Sequence, residues 1–359
     1  MTWTQQTFRR GLACERFNSH WPSPVSVLNL SARYSLKRSW LHCPMDSVPL
    51  TPTTDVVNKA AGTPVEVARL RKFLIAGAAL LLCFSLPLYQ VMAFALGSEF
   101  YSYILIVPLI SFYLVWIERS EFYPAGTVIP VGWAVTFLTG GLGLLVWAGL
   151  LLLGPIKPEH ADVLALSMGS LVLLLAGSAC FFLGRQTLRV FAFPLAFLVF
   201  LAPFPVGVET SLETMLQQGS SATAHFFLSL AGMPVFRNGT YLQLPGFAMQ
   251  VAPECSGIRS TVALLLTSLV AGRLFLRSPW KRLVLVLIVL PLALLRNGFR
   301  VFVIGELCVR VGPEMIDSWI HHQGGPVFFA LSLLPFSLAL YYLYKSEHPV
   351  VGPALPPRN

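Results

Sequence analysis

The chain has 359 residues, of which 55% are apolar and only 11% charged, with a mean hydropathy of +0.69. A soluble domain carries about 25% charged residues, so too few charges are present here to cover a water-soluble surface, and the composition points to a polytopic membrane protein. The net charge of +9 excludes little: in such a chain basic residues hold loops on the cytoplasmic side, and no nucleic-acid partner is implied.

Residues 1–64 contain no apolar run long enough to span. Up to His42 this tail carries six basic residues and one acid, Glu15. It is similar in composition to a transit peptide but lacks the hydrophobic region of a secretion signal. Residues 1–44 read better as upstream sequence, with Met45 as the true start and a short disordered lead behind it. Three units are therefore expected: this tail, a transmembrane domain over 65–345, and a short cytoplasmic tail at 346–359.

Eight apolar runs follow, at about 73–96, 101–117, 128–153, 162–184, 189–206, 257–276, 283–304 and 326–344. Each is near the ~20 residues that cross a ~30 Å hydrocarbon core. The predicted fold class is an all-α polytopic membrane protein of about eight transmembrane helices. Arg69, Arg71, Lys72, Arg119, Arg185, Arg189, Arg273, Arg277, Lys281, Arg282 and Lys345 recur at alternate ends of these runs. By the positive-inside rule both termini are cytoplasmic, and 207–256 and 305–325 face outward. Arg296, Arg300 and Arg310 then stand on the outer side, against that rule, and ask for another explanation.

Within 207–256, Leu212, Met215, Leu216 and Gly219 recur at helical spacing between polar residues, with Glu209 and Glu213 near the start. This predicts an amphipathic helix at the membrane interface, closed by Gly232. In "VFRNGTYLQLPGFAMQV", Asn238-Gly239 and Pro245-Gly246 are turn signals between alternating residues, so a small outward-facing three-stranded β-meander is expected before Cys255.

The six cysteines are Cys14, Cys43, Cys83, Cys180, Cys255 and Cys308. Their spacing offers neither a CxxC pair nor a zinc-type set, so no disulfide framework or metal site is expected. Cys255 alone has polar company, in "VAPECSGIRS". It should precede a helix beginning near Ser256, whose dipole favours the thiolate, with Gly257 leaving space beside the sulfur and Glu254 and Arg259 flanking it. In "LALLRNGFRVFVIGEL", Arg296 and Arg300 lie four apart on one helical face beside Asn297. Charge at this depth faces a bundle interior or a polar cavity, or snorkels to headgroups, and Arg296 is assigned an anchoring charge of the second kind. In "DSWIHHQGG", His321 and His322 precede the last span. A thiol, an arginine pair and a histidine pair thus come from three spans to one membrane face, which suits nucleophile, anion stabiliser and proton shuttle in acyl transfer. A transporter, or a non-catalytic membrane component of an export system, would explain buried charges but not this conjunction.

"PECSGIRS", "NGFR" and "HHQGG", in that order, resemble the exosortase/archaeosortase family of membrane transpeptidases, as do "LIVPLISFYLVWIER", "FPLAFLVFLAPFPVGVE" and "GMPVFRNGTYLQLPG". The resemblance covers about 73–344. It implies a cysteine peptidase (a thiol hydrolase or transpeptidase) of the cytoplasmic (inner) membrane. Such an enzyme cleaves C-terminal sorting signals of exported proteins on the outer, periplasmic face and passes the chain to an acceptor. The signals combine a short motif (Pro-Glu-Pro in the PEP-CTERM class), a transmembrane helix and a basic tail. Carried over by motif, the catalytic residues are Cys255, Arg300 and His321, with Glu254, Ser256, Asn297, Arg259 and His322 as accessory or substrate-binding residues. No metal or organic cofactor is implied. Expected partners are the exported substrates, membrane lipids and exopolysaccharide machinery.

Overall fold

The computed structural model describes residues 64–118, 131–155, 158–183, 185–312, 314–315 and 324–347, with 64–67, Gln186 and Glu254 described by their backbone alone. The tail at 1–63, His321, His322 and the chain beyond 347 lie outside the described residues, as do the expectations placed on them.

Ten α-helices are described: α1 (Pro64–Cys83), α2 (Ser85–Gly97), α3 (Val107–Glu118), α4 (Val131–Leu153), α5 (His160–Phe182), α6 (Arg185–Phe197), α7 (Val206–Leu230), α8 (Ile258–Phe275), α9 (Pro279–Arg310) and α10 (Gly325–Lys345). Six spans are long and apolar enough to cross a membrane unbroken, the first of them joining a 3-10 turn at Phe100–Leu105 to α3. Two further pairs reach that length only as bent helices, α1 with α2 at 65° and the 187–201 run with α7 at 88°. The all-α membrane class is therefore shown, with six to eight candidate spans among the described residues. Helix α4 makes the physical case. It is apolar on every side, and Leu142, Val146, Trp147 and Leu150 point away from the protein, an arrangement that suits a lipid surrounding. Its inner stripe meets α5 through small residues: Ser170 Oγ donates to the Gly141 carbonyl at 2.8 Å, and a Cβ at Gly177 would sit 2.7 Å from Leu138.

The fifth apolar run does not continue straight. Pro203 and Pro205 withhold the backbone N–H groups a helix needs, and the chain turns into α7 there. The N–H of Val206 is taken by Asp162 Oδ1 at 2.9 Å, and Tyr101 donates to Glu209 at 2.6 Å, so the first turn of α7 is fixed to α5 and the 3-10 turn. The second half of α7 then runs along α9. Its buried stripe is Leu216, Ser220, Ala224 and Leu228, with Ser221 beside it, whereas Met215 is exposed. The helix expected from periodicity exists, but two of its five buried residues are serines. Small residues sit there because the two backbones come close: a Cβ at Gly298 would lie 2.5 Å from Thr223 Cβ, and one at Gly219 2.6 Å from Leu294. Helix α7 ends in a Schellman motif. Gly232 has φ +78°, its N–H reaches Ser229 O, and the Met233 N–H reaches Leu228 O.

The three-stranded antiparallel meander is present in the order β1 (Phe236–Asn238), β2 (Tyr241–Leu244), β3 (Phe247–Gln250), with Asn238 opposite Tyr241 and Leu244 opposite Phe247. Its turns contain Gly239 (φ +63°) and Gly246 (φ +74°). Alternation buries Leu242 and Leu244, which join Met249 and Val251 in packing on Leu228, Val301 and Ile304 of α7 and α9. Ser221 Oγ donates to Gly239 O at 3.0 Å and fixes the hairpin to α7. The meander thus hands the chain to Cys255 from a seated position.

At the far end of α8 a set of ion pairs closes the bundle. Arg273 meets Glu118 at 2.7 Å, and the Glu347 carboxylate accepts from the N–H groups of Arg277 and Ser278 at 2.7 and 2.9 Å, at the start of α9.

Candidate active site

Cys255 closes a 3-10 turn, Pro253–Cys255. The following helix, α8, starts at Ile258 rather than Ser256, because Gly257 intervenes as its N-cap residue with φ +75°. Cys255 is therefore two residues ahead of the cap. Gly257 also has a different task from the one its neighbourhood in sequence implies. A Cβ there would meet Asn297 Cγ and Oδ1 at 3.0 Å and Arg296 Nη2 at 3.2 Å, so its bareness makes room for side chains of α9.

Those side chains hold the turn. Asn297, 3% exposed, donates from Nδ2 to the Cys255 carbonyl at 2.7 Å and to Ser220 Oγ at 2.9 Å. Arg296, 8% exposed, donates from Nη2 to Gly257 O at 3.2 Å, with Thr261 Oγ1 at 3.5 Å, while its Nη1 is buried with no hydrogen-bond partner among the described residues. This corrects the anchoring charge expected of Arg296: it turns into the protein, where the Gly257 carbonyl receives it. Ser256 is buried, and the Ile258 N–H approaches its Oγ at 3.4 Å. Arg259 points elsewhere, forming an exposed ion pair with Glu99 at 2.7 Å.

Arg300 lies one helical turn beyond Arg296 and is half-buried. It and Cys255 line one small cavity of about 20 Å³ together with Met249, Gln250, Val251, Val301 and Ile304. That volume admits about one water molecule. The walls are mostly apolar, so a cation there acts through little intervening water. Of the predicted residues, Cys255, Ser256, Asn297 and Arg300 come together, the first two from the turn ahead of α8 and the last two from α9. His321 and His322 fall outside the described residues, just before Gly324 and α10. Ser220 was not foreseen. It is fully buried and 77 residues from Asn297 in the chain, and only its place on the small-residue face of α7 marks it.

The arrangement offers a thiol, a guanidinium and a fixed backbone around a space for one polar atom. No curated protein and no solved structure matches the chain. The sequence pattern that defines the transmembrane exosortase does match, over residues 95–338, which takes in the 3-10 turn, α3 to α9, the meander, the Cys255 turn and most of α10. The chain belongs to the transmembrane exosortase family.

Proposed function

We propose that this protein is a membrane cysteine transpeptidase that cleaves C-terminal sorting signals from exported proteins and transfers them to an acceptor. The observation that supports this most is the shared cavity, which has Cys255 on one wall and Arg300 on another. The Cys255 thiolate attacks the scissile carbonyl carbon. Arg300 faces the oxyanion that forms, with a planar fork suited to an oxygen bearing charge. Collapse breaks the C–N bond. His321, as imidazolium, gives its proton to the departing amine and leaves a thioester on Cys255. His321 then takes the proton of the acceptor nucleophile, which attacks the thioester and restores the thiolate. Glu254 and His322 flank this chemistry. The substrates are exported proteins bearing a short motif, a transmembrane helix and a basic tail, and membrane lipids and exopolysaccharide machinery are further partners. The protein resides in the cytoplasmic membrane with both termini in the cytoplasm and the site on the outer face.

The test is processing of a tagged substrate in the same membrane, followed on gels with membrane levels matched. Cys255→Ala and His321→Ala should abolish it, and His322→Ala should cost much less. Arg300→Lys should fail nearly as badly as Arg300→Ala, since an ammonium lacks the two parallel N–H donors of the flat guanidinium fork. Full processing by Cys255→Ala would end the enzymatic reading. Full activity of Arg300→Lys would end the oxyanion role.

A further inference from the structure

Helix α9 carries Arg300 and also grips the turn that carries Cys255. The grip is at two carbonyls, one on either side of Ser256. Asn297 Nδ2 holds Cys255 O at 2.7 Å, and Arg296 Nη2 holds Gly257 O at 3.2 Å. The amide orientation of Asn297 follows from its partner: a backbone carbonyl only accepts, so the NH₂ must face it. The second Nδ2 hydrogen goes to Ser220 Oγ on α7. Both donors of the amide are thus spent on fixing its plane, inside a contact that is 3% exposed on the asparagine and fully closed on the serine. Arg300 follows Asn297 by three residues, so nucleophile backbone and guanidinium are both referred to one turn of one rigid element.

We infer that Asn297, oriented by Ser220, is the positioning residue that holds the Cys255 turn so that its sulfur faces Arg300. Asn297 touches no reacting atom; it acts through the Cys255 carbonyl. Without its N–H that carbonyl loses the bond that ties it to α9, and the 253–257 turn relaxes away from the helix. The role presupposes the cysteine chemistry proposed above, but it can be read without any substrate.

Iodoacetate and iodoacetamide are similar in size and both consume the thiolate, so the ratio of their rates cancels thiolate fraction and access and reports the field at sulfur. The experiment uses the full chain in isolated membranes, with alkylation of Cys255 followed by mass spectrometry of its peptide. A guanidinium facing the sulfur should raise the iodoacetate/iodoacetamide ratio by roughly threefold to tenfold over that of Arg300→Gln. Asn297→Ala should fall most of the way to the Arg300→Gln value. Ser220→Ala, which leaves the amide one acceptor, should move the same way by a smaller factor, and it decides the matter if Asn297→Ala does not accumulate. An asparagine with a merely structural role would lower the amount of protein and leave the ratio of the remainder unchanged. A wild-type ratio in both variants overturns the inference, as does a wild-type ratio equal to that of Arg300→Gln. Processing retained by Cys255→Ala would remove the enzymatic reading while leaving this geometry measurable.

Discussion

Arg296 shows how a single side chain can reverse its expected role. From sequence it is one of two arginines at a membrane boundary, where charge alone would serve. In the fold it is almost wholly buried and spends one Nη on Gly257 O. A lysine at this position keeps the charge but puts a compact, strongly hydrated ammonium into the same closed space, without the flat fork that meets the carbonyl. Arg296→Lys should therefore cost about 1–3 kcal/mol of stability, the usual penalty for a buried polar partner left unsatisfied. The check is a thermal unfolding midpoint in detergent micelles, and an unchanged midpoint would return Arg296 to the role of a surface anchor. Cys255 and Arg300 were legible because each stands in a polar motif inside apolar sequence. The Asn297–Ser220 bond was not, because it joins positions 77 residues apart and serine carries no periodic signal of its own.

Among the elements, α7 and α9 set the site by their closeness. Glycine in a helix costs about 1 kcal/mol relative to alanine, yet Gly298 stands at their contact. A methyl group there would meet Thr223 Cβ at 2.5 Å and the Ala224 backbone N at 3.1 Å, neither of which can swing aside. Gly298→Ala should separate the helices and destabilise the protein by about 1–3 kcal/mol despite its better helix propensity. It should also weaken processing, since Ser220 withdraws from Asn297 with its helix. Moving the space to the other side, with Thr223→Gly added, should restore part of both losses. If the double variant is worse than Gly298→Ala alone, the contact is not what the glycine serves. The spans and the meander were readable at this scale, because apolar runs and the Asn238-Gly239 and Pro245-Gly246 turns are local signals. The inward face of α7 was not legible, because a hydrophobic pattern cannot see a face built from Ser220, Ser221 and Ala224, and Met215, on the apolar face read from periodicity, is exposed.

For the whole molecule, the informative feature is the length of α9. Its 32 residues run well past the ~20 that cross a bilayer, and one end is marked by the charged set of Arg277, Lys281 and Glu347. Asn297 lies 18 residues along it from Pro279, or ~27 Å at 1.5 Å per residue, which is close to the ~30 Å thickness of the hydrocarbon core. The helix is therefore a ruler. Under the proposed function it would hold the thiol at the level where a membrane-anchored chain leaves the lipid, and a substrate with its own spanning helix would be measured against it. Lengthening the stretch between scissile bond and anchor by four residues raises the bond by up to ~13 Å in extended chain, beyond the reach of a turn held at both carbonyls. Processing of a tagged substrate should fall steeply over such an insertion series while the substrate's membrane insertion stays unchanged. An equal yield across the series would mean that the distance is not read, and that sequence beside the bond alone selects what this membrane releases.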